Sequence, residues 1–383
     1  MVTRDRLLLL TERGMRAFAF GFSAVLVALH LERAGLSPGL IGLTLGVGLA
    51  SASLTGLGSA ALAVRIGRRQ TLAVTGLLMA LTGLDLALAS TPVPLVLSGA
   101  TGMLGAASVD YGPFASVEQA VLAETAPPAN RNRAFARYSL TGGLFNAAGG
   151  FSAAILPNVR AYFFIYAAIG LATAILPLSM SSRVEGEPAV VAFGNVRALA
   201  GLAALFALDS LGGGFVANAV IAFWLHARFG AGPHLLGPIF AGVAVLQSLS
   251  YEVSGRLGDR VGLINTMVFT HLPSNVLLLL VPLSPNLAVA VVLLLARFAL
   301  SQMDVPARQA YVVSIVPPSE RAGAVAVTGA VRGVAMSLGP TLAGVAIGLA
   351  SFGVPFYAGG GLKAVYDLVL YAGYRNRPAA HET

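Results

Sequence analysis

The sequence predicts an all-α membrane protein of twelve helices in two related six-helix bundles. Three observations predict it: long apolar runs, an uneven placement of the basic residues, and an internal repeat. The chain has 383 residues, of which 56% are hydrophobic and only 10% charged, and its mean hydropathy is +0.81. Soluble domains carry roughly 25% charged residues, and no single core hides this much apolar surface from water. Twelve helices of about 22 residues use about 264 residues, which leaves no room for a large extramembrane domain.

The apolar runs fall near 12–33, 38–62, 70–90, 93–123, 134–156, 159–181, 198–226, 233–254, 264–283, 286–314, 323–349 and 352–373. They do not alternate as barrel strands would. The first run lacks a small-residue cleavage site and many spans follow it, so it reads as a retained helix. A longer connection with Glu185, Gly186, Glu187 and Pro188 separates the sixth and seventh runs. The expected organisation is an N-terminal bundle at 1–181, a cytoplasmic linker at 182–196 and a C-terminal bundle at 197–383. Of the 24 basic residues, sixteen fall on the side that holds both termini. Three (Arg33, Arg160 and Arg228) fall on the other side, and five lie within spans. Basic residues stay cytoplasmic, so a multi-pass protein of the cell membrane (the inner membrane in a two-membrane cell) with both termini in the cytoplasm is expected. The net charge of +8 fits a rim of arginines facing anionic lipid. The basic residues form no patch with interleaved aromatics, which argues against nucleic-acid binding.

The halves repeat. Arg33-Ala-Gly-Leu-Ser-Pro38-Gly-Leu-Ile-Gly42 matches Arg228-Phe-Gly-Ala-Gly-Pro233-His-Leu-Leu-Gly237 at an offset of 195, and Arg65-Ile-Gly67 matches Arg260-Val-Gly262 at the same offset. Further on the offset is 190: Glu118-Gln119-Ala120 meets Arg308-Gln309-Ala310, and Pro127-Pro128 with Arg131 meets Pro317-Pro318 with Arg321. Repeated helical halves around a midplane site are a known transporter plan.

The stretch Gly255-Arg256-Leu257-Gly258-Asp259-Arg260-Val261-Gly262 resembles the Gly-x-Leu-x-Asp-Arg-x-Gly signature of the major facilitator superfamily. The first-half counterpart keeps Leu62, Arg65, Gly67, Arg68 and Arg69, but has Ala60 and Val64 in place of the glycine and the aspartate. The resemblance implies the major facilitator fold, alternating access, and membership near the branch that exports drugs and organic solutes. It also implies a conformational latch at Gly255, Gly258, Asp259, Arg260, Arg65, Gly67, Arg68 and Arg69. Small residues let helices approach, and an aspartate at a helix end accepts from a neighbouring helix start and pairs with arginine. With Val64 at the aspartate position, the first-half latch is expected to be weaker or built differently.

Charge inside a membrane is costly and marks function. The resemblance implies that spans one, four, seven and ten line a central cavity. Asp304, Asp110, Glu118 and Asp209 are therefore the proton-coupling candidates, with Asp304 first. Arg16, Arg308, Arg332, Tyr111, Asn146, Asn218 and Gln302 are the cavity candidates. Asp304 and Arg308 stand four apart and can pair, and Pro306 is expected to kink span ten. Lys363 and Asp367 are also four apart, in span twelve, and read as a structural pair. His271 lies alone inside span nine.

The chain has no cysteine, no nucleotide-binding phosphate loop and no hydrolase or metalloprotease motif. No enzyme activity, no cofactor and no metal site are expected, and transport must run on an ion or substrate gradient. The expected partners are a small-molecule substrate, protons or another coupling ion, and membrane lipids, with the protein acting as a monomer. Proton-coupled export of an amphipathic or cationic organic compound is the first expectation. The alternatives are carriage of organic anions or nutrients, or of a divalent metal ion between carboxylates. A lipid flippase or a non-transporting receptor comes last.

Overall fold

The computed structural model describes residues 2–106, 112–125, 131–156, 158–185, 196–317 and 321–376. Fifteen α-helices lie among them. The first half holds α1 (Val2–Arg33), α2 (Pro38–Ile66), α3 (Arg68–Leu88), α4 (Pro92–Ala100), α5 (Pro113–Thr125), α6 (Arg131–Ser152) and α7 (Val159–Ile175). The second holds α8 (Val196–Phe215), α9 (Asn218–Phe229), α10 (Pro233–Val261), α11 (Leu263–Leu280), α12 (Leu287–Leu300), α13 (Asp304–Ser314), α14 (Arg321–Gly348) and α15 (Val354–Tyr374). The pairs α4/α5, α8/α9 and α12/α13 are the two parts of spans four, seven and ten, so fifteen helices make twelve crossings. Most of the connection expected at 182–196 lies outside the described residues.

Among the described residues, nine helical stretches are long and apolar enough to cross a bilayer on composition alone. The exceptions have local causes. Span four is divided, α6 carries Arg137, Asn146 and several glycines, and α15 carries Lys363, Asp367 and three consecutive glycines.

The repeat is written in the backbone. Gly67 and Gly262 both have positive φ, 90° and 85°. Each ends one helix and opens the next, a reversal that a Cβ would strain. Each carbonyl accepts the same threonine hydroxyl one turn on, Thr71 at 2.7 Å and Thr266 at 2.8 Å. Pro38 and Pro233 both open the helix after the first loop of their half, where a missing N–H costs nothing. The change of offset from 195 to 190 falls inside spans four and ten, where more residues separate α4 from α5 than separate α12 from α13.

Pro306 does not kink a continuous helix, as the sequence suggested. The helix stops at Leu300, turns through 301–303, and restarts at Asp304 with Pro306 in its first turn. Carbonyls freed at a break must find donors, because lipid offers none. Ser250 of α10 donates to the Ala299 carbonyl at 2.6 Å, and Ser254 donates to that of Met303. The break in span four is served in the same way: Ser23 of α1 donates to Leu104 O at 2.5 Å and Tyr166 of α7 to Met103 O.

The halves meet from mid-membrane toward the face opposite the termini. There Gly42 and Gly46 of α2 pack on the backbone of α14 at Pro340 and Ser337. Gly237 of α10 packs on Gly150 and Ala154, at the end of α6. Ala219 N–H donates to Ala106 O at 3.2 Å, joining the breaks of spans seven and four. Glu32 and His226 approach to 3.1 Å across the same seam. Toward the termini the seam opens. Leu54, Leu57 and Val64 of α2 are exposed, and an apolar cleft of about 410 Å³ separates Leu54 and Leu57 from Ala207 of α8 and Val331 and Val334 of α14. Among the described residues the halves are therefore in contact on the face opposite the termini and separated by this cleft toward the termini.

A Cβ on Gly42 would run into the Pro340 carbonyl. Gly42→Val should force α2 and α14 apart on the closed face without breaking either helix. Spin labels at the start of α2 and the end of α14 should report a longer and broader distance distribution than in the parent protein.

Candidate functional site

Six buried ionisable side chains from four helices meet in the second half. Asp209 lies in α8, one turn and a half before the break of span seven. Its Oδ1 accepts from Lys363 Nζ of α15 at 2.6 Å, and its Oδ2 accepts from Arg308 Nη1 of α13 at 3.1 Å. Arg308 Nη1 also donates to Asp304 Oδ2, one turn earlier, at 2.6 Å. Asp304 opens α13, where the positive helix start suits a carboxylate. His271 of α11 completes the group: its Nε2 lies 3.7 Å from Asp209 Oδ1 and its Nδ1 lies 2.9 Å from Asp367 Oδ1. Asn275 donates to the other oxygen of Asp367 at 2.8 Å.

The pairing of Lys363 with Asp367, expected from their spacing, is not formed. Lys363 reaches Asp209 and Asp367 holds His271. Both residues face the bundle, so partners on other helices displace the neighbour one turn away.

A cavity of about 80 Å³ opens beside this network. Asp209, Asp304, Arg308, Arg332, Asn218 and Gln302 all line it, together with Arg297, Ser301, His271 and Lys363. Arg332 Nε donates to Ser210 Oγ at 3.1 Å. Among the described residues, four cationic side chains thus face the cavity against two carboxylates.

The other candidates fall elsewhere. Arg16 and Glu118 form a fork-to-fork pair between α1 and α5, at 2.6 and 2.7 Å, with neither side chain exposed. Tyr138 donates to the same carboxylate at 2.6 Å, and Phe114 covers the guanidinium at 4.3 Å. Asn146 donates to Ala17 O at 3.4 Å and ties α6 to α1. Asp110 and Tyr111 lie outside the described residues. The two ion pairs are counterparts: spans one and four carry Arg16 and Glu118, and spans seven and ten carry Asp209 and Arg308. Glu118 and Arg308 are the residues matched at an offset of 190, so the repeat preserves the pair and reverses its charges.

The first-half members of the expected latch close within their own half. Glu185, just after α7, accepts from the Arg68 backbone N–H at 2.5 Å and from Arg69 Nε at 2.9 Å. Arg69 also donates to Met180 O at 2.9 Å. Arg65 and Arg260 are exposed, and Gly258 is buried against Leu263 and Thr266 of α11. Of Gly255 and Asp259 only the helical backbone is described. Glu185, in the N–H acceptor role that Val64 cannot take, was visible only as an acid in a connection.

Three more residues escaped the sequence reading. Arg297 is 4% exposed and lines the cavity; its apolar run gave no sign of a partner. His271 looked isolated because Asp209 and Asp367 are distant in sequence. Glu12, one turn before Arg16, is 1% exposed with one oxygen unpartnered among the described residues.

Helices that break around a polar midplane cavity, in two repeated halves parted on one face, define a membrane carrier rather than an enzyme. Residues 14–207 and 201–383 match the family model described as Major Facilitator Superfamily, and the chain belongs to that family. It is 23% identical over 418 residues to an uncharacterized membrane protein of Saccharomyces cerevisiae, YJR124C, covering 96% of this chain and 93% of that one. Among solved structures it is similar to the nucleoside transporter NupG, with a TM-score of 0.76 at 14% identity over 96% of this chain and 98% of that one. A bacterial homologue of the human lysosomal transporter Spinster, in its inward-facing and occupied form, gives a TM-score of 0.77 at 16% identity over 98% of both chains. A D-xylose–proton symporter gives 0.73 at 16% identity, over 95% of this chain and 97% of that one. These likenesses show the fold.

Removing one partner of a buried ion pair leaves a charge without compensation, which costs about 3–5 kcal/mol. Glu118→Gln should therefore lower the thermal unfolding midpoint in detergent sharply. The double replacement Arg16→Met with Glu118→Leu should cost less than the single one, as a two-by-two comparison of melting curves would reveal.

Proposed function

We propose that the protein is a secondary active transporter that moves a small polar organic solute by alternating access, driven by protons, with its termini in the cytoplasm. The observation that carries this is the Asp209–His271–Asp367 chain beside the cavity. Asp367 fixes the imidazole through Nδ1, which leaves Nε2 turned to Asp209 Oδ1. The same Oδ1 already holds Lys363. A proton on Nε2 makes His271 a second cation at that oxygen. The added charge weakens the hold of Asp209 on Lys363 and Arg308, which already line the cavity and are then free to pair with its solute. Proton uptake and solute binding are coupled through one carboxylate, in a low-dielectric site where such competition is strong. Asp304 keeps Arg308 oriented through the exchange.

Two similar proteins support a polar cargo by name, one a nucleoside transporter and one a D-xylose–proton symporter. Export of a cationic drug has less support, because the cavity lining carries more basic than acidic side chains among the described residues. Metal carriage has less support still, since both cavity carboxylates are engaged by arginine or lysine and no cluster of metal-ligating side chains occurs among the described residues.

The test is flux in proteoliposomes. His271→Gln should abolish accumulation driven by an imposed pH gradient while leaving solute exchange within a few-fold of the parent. Normal gradient-driven accumulation by His271→Gln, with the parental pH dependence, would remove the coupling role.

A further inference from the structure

We infer that Arg297 and Ser301 form a binding subsite for the carboxylate of an organic anion, which makes the cargo of the proposed transporter a carboxylate rather than a sugar or a nucleoside. The inference rests on the transport reading for the word cargo, but the subsite stands on its own geometry.

Arg297 lies in the last turn of α12, and Ser301 follows four residues later in the turn that divides span ten. They share one face of the helix end and line the same cavity. Both are 4% exposed. Nε and Nη1 of Arg297 and Oγ of Ser301 are sealed from solvent and have no hydrogen-bond partner among the described residues. Among the described residues the guanidinium stacks on the neighbouring Phe298 ring, at 4.5 Å, and forms no salt bridge, the charge of Asp209 acting on it only through space. Every other buried charge at this site is matched: Arg308 by Asp304 and Asp209, Lys363 by Asp209, and His271 by Asp367.

An arginine at this depth without a directly paired anion is expensive, and a buried donor left unmade costs about 1–3 kcal/mol. Two such groups, four residues apart on side chains that line one cavity, fit a group that arrives from outside and reaches them when the cavity wall gives. The planar guanidinium takes both oxygens of a carboxylate at once, and the serine hydroxyl adds a third donor. The charge of the lining agrees, with four cations against two carboxylates among the described residues. Phe298, Val305 and Met336 complete the wall. They offer contact to a carbon skeleton, which favours an organic carboxylate over sulfate or phosphate.

The purified full-length protein in lipid nanodiscs supplies the direct test. The probes are benzoate and hexanoate, with benzamide, hexanamide and sulfate as controls, and the readout is the thermal unfolding midpoint against probe concentration. A saturable rise is expected with the carboxylates and none with the amides. Arg297→Gln should weaken the effect at least tenfold, Ser301→Ala should weaken it a few-fold, and Arg297→Lys, which retains the charge, should fall between. An equal rise with the amides, an equal rise in Arg297→Gln, a rise with sulfate alone, or no rise with either carboxylate overturns the subsite. Flux separates the two readings. If proteoliposomes move uridine or D-xylose equally well with Arg297 or with Gln at that position, the carboxylate assignment fails and the transporter stands. If the carboxylates bind through Arg297 but neither they nor the neutral solutes cross the membrane, the transport reading fails and the subsite stands.

Discussion

Charge buried in a membrane has to be matched where it lies, and this requirement organises both halves of the protein. Water is not at hand to screen an arginine, and moving one into hydrocarbon costs several kcal/mol even when the side chain bends toward the surface. The first half meets the requirement with Arg16 and Glu118, locked fork to fork, covered by Phe114 and supported by Tyr138. The second half uses the same pair of spans with the signs exchanged, Asp209 against Arg308. The partners that follow differ in consequence. Glu118 accepts from one guanidinium and one phenol. Asp209 is shared among Lys363, Arg308 and the nearby His271. The two copies thus differ: one joins two spans by a single ion pair, and the other joins four helices through a charge network.

The broken helices obey the same constraint at the level of the backbone. Irregular chain at membrane depth is tolerated only where protein satisfies it. Ser250 and Ser254 serve the break in span ten, and Ser23 and Tyr166 serve the break in span four. Each supporting donor comes from a helix of the same half, so each break is carried as part of a rigid body. The join between Ala219 N–H and Ala106 O runs across the halves. It lies in the closed part of the seam, and it must part when that face opens. Alternating access then requires few rearrangements within a half and a change of contacts along one seam.

The sequence reveals the elements far better than the contacts between them. Apolar runs, loop prolines and the glycines at 67 and 262 report local chemistry, and local chemistry decides where a helix starts and stops. The glycine-and-threonine turn recurs because each copy solves the same reversal. Pairing is different. It depends on how far each helix is rotated about its axis and how deep it sits, and neither is a local property. Asp304 and Arg308 share a helix, and their contact was legible from spacing. Lys363 and Asp367 have the same spacing, yet each bonds to another helix, because α15 turns both toward α8 and α11. His271 and Arg297 were unreadable for the same reason. A single histidine or arginine in an apolar run has no meaning until its neighbours on other helices are known.

The place of Glu185 shows how a lost residue is replaced in space. The second half keeps an aspartate in its signature, and the first half has Val64, 60% exposed, at that position. The N–H groups that open α3 still need an acceptor, because the first turn of a helix has no partners of its own. Glu185 supplies it from the chain leaving α7, bonding the Arg68 N–H and the Arg69 guanidinium together. The interaction is half-exposed, so its worth in stability is small, and its importance is geometric. It ties the opening of α3 to the segment that leads out of the first half. The opening of span three and the lead into the connection between halves therefore share one carboxylate. A change in how that connection runs would be felt first at the reversal around Gly67, where the backbone already holds a conformation that only glycine adopts without strain.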